Sequence, residues 1–157
     1  MQLILRAAHV TEAQRVAEVL VASRKEFLPF APMVHSQEEV EQWVRTALIP
    51  GGAVTVALFA GEIVGVLAVS TEGETTWVNQ LYIHPLHVGQ SIGAALLSFA
   101  VAAAPASVRL YTFQQNKRAR SFYERHGFVA VEFSDGSTNE EECPDVMYEL
   151  AASKNAV

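Results

Sequence analysis

The chain has 157 residues, half of them apolar and 18% charged, with a formal net charge of −6. That length and apolar share predict one domain over residues 1–157 with a single core, and exclude disorder. The acidic balance, without clustered Lys and Arg, excludes a nucleic-acid footprint.

From the N-terminus, "QLILRAA" predicts a strand ending near His9, and its apolar run is too short for a signal peptide. Ala13, Val16, Ala17, Leu20 and Val21 fall at helical spacing, predicting a helix from Thr11 to about Phe27, where Pro29 and Pro32 break it. Ser36 and Glu39 form an S-x-x-E capping box for a second helix whose apolar face is Val40, Trp43, Val44 and Leu48. "AVTVALFA", "IVGVLAVS" and "TTWVNQLYI" then predict an antiparallel meander, with tight connections at Gly61-Glu62 and "TEGE". A helix over 90–103 carries Ile92, Leu96, Leu97 and Ala100 on one face; "SVRLYTF" is a strand. "NKRARSFYERHG" is a helix closed by Gly127, with Phe122 facing the core, and "FVAVEFS" and "DVMYELA" are strands around the polar loop "DGSTNEEECP". Cys143 in that loop is the only cysteine, so no intrachain disulfide forms and a reducing, cytoplasmic setting is expected. The terminal "SKNAV" is expected to fray. No segment approaches the roughly 18 apolar residues of a membrane span, so no membrane association is expected. The order β-α-α-β-β-β-α-β-α-β-β predicts an α/β protein with a mixed, mostly antiparallel sheet and helices on both faces.

Gly89-Gln90-Ser91-Ile92-Gly93 reads literally as G-x-S-x-G, the elbow of a serine hydrolase. Such an enzyme needs Ser, acid and His in chain order. The one histidine after Ser91 is His126 and the one carboxylate between them is Glu124. Two residues apart on a helix, these point about 200° away from each other and form no relay. Glycines around a small residue at a helix start instead leave backbone N–H groups bare, as in an anion site, the alternative being a tight strand-to-helix turn with nothing bound. Gly93 is followed by Ala94-Ala95, not the Lys-Ser/Thr of an ATP or GTP loop.

Beyond that loop, "NKRARSFYERHGF" reads N-x-x-A-x-x-F-Y-x-x-x-G-F, and Asn116 and Tyr123 stand about two helical turns apart, on one side of their helix. Together the loop and this segment resemble the GCN5-related N-acetyltransferase (GNAT) family, and the resemblance extends over residues 2–151. It implies acetyl transfer from acetyl-CoA to an amine, with no metal. Val88, Gly89, Gln90, Ser91, Ile92, Gly93 and Ala94 would hold the pyrophosphate. The backbone of Leu81, Tyr82 and Ile83 would pair with pantetheine where the fourth and fifth strands splay, and Asn116 would bond the same arm. Tyr123 would be the general acid at the thioester sulfur. Two positions depart from the family loop: Val88 replaces Gln or Arg, and Ser91 replaces glycine. The two positions where members carry a glutamate base hold Trp77 and Tyr111, so no base is assigned.

The acceptor, a small-molecule amine or a protein amine, would meet Phe27, Phe30 and Met33 in the helix connection, with Trp77 and Asn79 nearby. Glu140, Glu141 and Glu142 read as a solvated hairpin loop, with attraction of a cationic acceptor as the alternative. A homodimer through the C-terminal strands is a further implication of the resemblance. The alternative functions are a non-catalytic CoA-binding sensor of the same fold and a module binding a partner protein or another nucleotide.

Overall fold

The structure is a computed structural model and describes residues 2–151, so the expectation for "SKNAV" lies outside the described residues. The element order is the one the sequence predicts. β1 (Leu3–Ala7) leads through a 3-10 turn, Val10–Glu12, into α1 (Ala13–Phe27), and α2 (Gln37–Trp43) follows. β2 (Val54–Phe59), β3 (Glu62–Glu72) and β4 (Thr75–Ile83) form the antiparallel meander. Then come α3 (Ile92–Ala103), β5 (Val108–Phe113), α4 (Lys117–Arg125), β6 (Val129–Ser134) and β7 (Asp145–Leu150). One sheet holds the strands in the order β1-β2-β3-β4-β5-β7-β6, and only β4 and β5 run parallel.

Local chemistry sets the element ends, with three differences from expectation. The capping box starts α2: Ser36 Oγ accepts from the Glu39 N–H at 3.1 Å and Glu39 Oε1 accepts from the Ser36 N–H at 2.9 Å. The helix then widens into a π-turn over Val44–Leu48, with the Ile49 N–H bonded to the Val44 carbonyl. On the predicted apolar face Val44 is fully buried, but Trp43 is 42% exposed. The first hairpin turns on Ala60-Gly61, one residue earlier than predicted, with both φ positive (53° and 79°) as a type I′ turn demands. β3 also runs on to Glu72, shrinking the predicted "TEGE" break to Gly73-Glu74.

The two sheet faces carry separate cores. On one, Val16, Val19 and Leu20 of α1 and Val44 meet Val54, Val56 and Val66. On the other, Ile92, Leu96, Leu97 and Ala100 of α3 and Tyr123 of α4 meet Val64, Leu67, Val78 and Leu110. β2 and β3 are covered on both faces, which is why they read as continuous apolar runs rather than alternating ones. Each fully buried Val or Leu contributes about 1.5–3 kcal/mol.

A bulge at Asn79 shifts the β3–β4 register between Ala68↔Gln80 and Val69↔Val78. Beyond it β4 leaves β5. The pair shares only Thr76↔Val108, Trp77↔Arg109 and Val78↔Leu110, while β4 continues to Ile83 on β3 alone and β5 to Phe113 on β7 alone. The sheet thus opens into a V whose inner edge on β4 runs from Asn79 to Ile83.

Candidate functional site

A cleft of about 620 Å³ fills the V. Leu81, Tyr82 and Ile83 form its β4 wall; Val88, Gly89, Ser91, Ile92, Gly93 and Ala94 close one end; Asn116, Ala119, Phe122 and Tyr123 of α4 face them; and Phe27 lies at the end of α1. Of the loop residues predicted for this site, Gln90 alone stands outside the lining, exposed to solvent. Phe122, expected to face the core, is half-buried, packing against the α3-side core and lining the cleft as well.

The start of α3 has an unusual cap. Ser91 is its N-cap residue, yet its backbone is left-handed (φ 64°, ψ 15°) and its side chain makes no capping bond. A capping serine normally sits in extended backbone, from which its hydroxyl reaches the second or third helical N–H. The first helical bond is Ala95 N–H to the Ser91 carbonyl, so the N–H groups of Ile92, Gly93 and Ala94 have no acceptor within the helix. Gly93 adds a second observation. A Cβ built there would meet only the Phe122 ring at 3.5 Å and Ile83 Cγ1 at 3.8 Å, which is ordinary contact. Packing does not require glycine at 93; what glycine leaves is bare backbone facing the cleft. Arg118, Arg125 and His126 also line the cleft, and the two guanidiniums bring positive charge to it. Their spacing along "NKRARSFYERH" (118, 125, 126) is the one sign of them in the sequence, beside Asn116 and Tyr123.

On α4, Asn116 is the N-cap, its Oδ1 accepting from the Ala119 N–H at 3.2 Å, which keeps its amide NH₂ as a donor. Tyr123, 8% exposed, is wedged between the rings of Phe122, Phe128 and Tyr148 with centroids 5.3, 5.8 and 6.2 Å away. Burial, reinforced by the neighbouring Tyr82, pushes its phenol well above the ordinary range.

A second cavity, about 460 Å³, lies between α1, α2 and the β6–β7 loop, and Tyr82 borders both spaces. Here Glu141 departs from the expected solvated loop, while Glu140 and Glu142 stay exposed. Glu141 pairs with Arg24 at 3.0 Å, with both side chains about four-fifths buried, and Arg24 also reaches Tyr82 Oη at a long 3.4 Å. Glu140 bonds His35 at 2.9 Å. Asn139 stiffens the loop by bonding Cys143 N–H and C=O and Asp145. Gly136 is required there, because a Cβ would lie 2.3 Å from the Cys143 backbone. Met33 lines this second cavity. Phe30, Trp77 and Asn79 line neither space: Phe30 packs edge-on against Phe113, Trp77 stacks on Tyr111 at 5.5 Å, and Asn79 donates to Ser70 at 2.8 Å.

The hydrolase elements stay apart. Glu124 accepts from the Tyr148 hydroxyl at 2.6 Å, and His126 Nδ1 meets the Phe122 carbonyl at 2.8 Å. Among the described residues, no cluster of His, Cys, Asp and Glu is placed to hold a metal, and no helix is long and apolar enough to cross a membrane.

Residues 50–130 match the family model described as "Acetyltransferase (GNAT) domain". No curated protein matches the chain in sequence. Among solved structures, the PaiA N-acetyltransferase of Thermoplasma acidophilum, in complex with coenzyme A, is 21% identical with a TM-score of 0.72, over 96% of this chain and 99% of its own. YjaB of Escherichia coli in its apo form is 21% identical, TM-score 0.77, over 98% and 100%. Arabidopsis thaliana Naa50, bound to the bisubstrate analogue CoA-Ac-MVNAL, is 14% identical, TM-score 0.73, over 96% and 99%. At these identities the structural likenesses establish the fold.

Proposed function

The chain belongs to the GNAT acetyltransferase family, and on that premise we propose that it transfers the acetyl group of acetyl-CoA to a primary amine by direct attack. Membership carries acetyl-CoA-dependent acyl transfer as the reaction class. The observation that supports our reading most is the entrance of α3, where the capping serine is turned away and a glycine is kept that packing does not need.

The residues fit that substrate. The N–H groups of Ile92, Gly93 and Ala94, at the positive end of the α3 dipole, would hold the pyrophosphate. The open edge of Leu81–Ile83 would accept pantetheine as an added strand, with the Asn116 amide as a further donor. Acetyl-CoA supplies an activated thioester: the amine lone pair forms the C–N bond, the C–S bond breaks with its electrons on sulfur, and the nitrogen loses a proton to water, from which the thiolate regains one as CoA leaves. Tyr123 keeps its own proton at neutral pH because burial pushes its phenol up. Its role is therefore to donate a hydrogen bond to the departing sulfur and stabilise the charge there. The Trp77–Tyr111 stack, at the positions where relatives carry a base, favours a second reading, a sensor that binds CoA without turnover.

Calorimetry of acetyl-CoA into the wild type and Gly93→Val, with thiol release on an amine panel, tests both readings. We expect binding in the wild type, at least about tenfold weaker in Gly93→Val because the branched side chain fills the anion cradle. Tyr123→Phe should bind acetyl-CoA normally and lose about 10²-fold in kcat. A wild type that does not bind acetyl-CoA sinks the proposal; binding without turnover of any amine selects the sensor.

A further inference from the structure

Resting on the transfer reading above, we infer that the acceptor is a primary amine carried on a compact apolar body, bound in the second cavity and presented to the thioester past Tyr82. The cavity holds about 460 Å³, the size of a small-molecule site. Its floor is Leu20 and Val21, 3% and 4% exposed, and Met33, Val34, Val40 and Trp43 continue the apolar wall.

The polar groups around that wall decide which amines fit. Arg24 is held by Glu141 and Tyr82, so among the described lining residues no guanidinium or ammonium stands unpaired, and the His35 ring bonds Glu140. An amino acid would bury its carboxylate without a partner there, an expensive arrangement. The carboxylates stand at the solvent side of the cavity, Glu39 and Glu140 exposed and Glu141 held by Arg24. A polyamine's second ammonium therefore finds no carboxylate against the buried apolar floor. The Arg24–Glu141 and His35–Glu140 pairs also tie α1 and the α1–α2 connection to the β6–β7 loop, spanning the place where an extended peptide would need an open groove.

What remains suits one ammonium on a hydrocarbon or aromatic body. Three carboxylates on the lining exceed its one arginine, so the entrance attracts a cation. The apolar wall then strips water from the ammonium and favours its neutral form. Desolvation thus supplies the lone pair without a carboxylate base, which accounts for a working site in which Trp77 and Tyr111 occupy the base positions.

The test compares thiol release from phenethylamine and hexylamine with release from glycine, spermidine and a lysine-containing peptide, at fixed acetyl-CoA. The two apolar amines should exceed the others at least about tenfold in kcat/KM. Trp43→Ala, at a largely exposed helix position, should raise the phenethylamine KM about tenfold and leave the acetyl-CoA KM unchanged. Preference for glycine, spermidine or the peptide, or an unmoved phenethylamine KM in Trp43→Ala, overturns the inference while acetyl transfer stands. Failure of the transfer reading itself shows separately, as absent acetyl-CoA binding or as binding without turnover of any amine.

Discussion

Ser91 holds a left-handed conformation at φ 64° that glycine adopts freely and other residues enter at a cost of about 1–2 kcal/mol. Glycine would relieve that cost but add freedom to the unfolded chain, worth about 0.4–1 kcal/mol in the other direction. Ser91→Gly is therefore expected to stabilise the protein by about 0.5 kcal/mol, read as a higher urea midpoint at unchanged slope. Because the hydroxyl makes no capping bond, acetyl-CoA affinity should hold or rise; a weaker variant would mean that the serine side chain itself contacts the phosphates. Tyr123 carries the other expectation at this scale. Its pKa is displaced upward, so the phenol stays protonated through the ordinary titration range near pH 10. The kcat/KM profile should rise as the amine loses its proton and show no descending limb from Tyr123 below about pH 10. A limb near pH 8 would contradict the buried donor.

Among the elements, the junction of β1 and α1 depends on one ion pair. Arg6 donates to both oxygens of Glu12, at 2.9 and 2.6 Å, and Glu12 also accepts from the His9 N–H at 2.9 Å. The guanidinium holds the Glu12 carboxyl down at about 2, against an ordinary 4.5. A depressed folded-state value contributes stability that is fully present above pH 4.5 and lost as pH falls from there through about 2. Both side chains are partly in water, so Glu12→Gln should lose at most about 1 kcal/mol at pH 7 and only a small part of that at pH 2. Urea titrations at the two pH values check this; an equal loss at both would assign the effect to packing. Most element boundaries were legible because periodicity and caps are local: Ser36, Glu39 and Gly127 did what their spacing predicts. Trp43 was not legible. Its exposure accompanies a π-turn at the end of α2, which packs on α1, and the heptad-like count of apolar residues carries no sign of that turn.

For the whole molecule, what the sequence left unread is long-range. The Arg24–Glu141 pair joins residues 117 apart, and nothing in "NEEECPD" says which glutamate folds back. The V between β4 and β5 was likewise implied only through family resemblance. In the structure it begins at a bulge at Asn79, after which three shared pairs give way to an unpaired inner edge. An unpaired edge inside a seven-stranded sheet is an incomplete structure, and a ligand that completes it binds the folded chain but not the unfolded one. At 100 times its Kd such a ligand adds about 2.7 kcal/mol to stability. For a chain of this length each kcal/mol moves Tm by about 2–4 °C, so CoA should raise Tm by about 5–10 °C. Two fragments separate the halves of the cleft. Pantetheine can reach the β4 edge but carries no pyrophosphate, whereas adenosine 3′,5′-bisphosphate carries phosphates but cannot pair with the edge. Each should shift Tm by less than CoA, and Gly93→Val should erase the bisphosphate shift while sparing most of that from pantetheine. Equal loss of both shifts would mean that the substitution closes the cleft as a whole, and no shift with CoA at millimolar concentration would remove this cleft as the cofactor site.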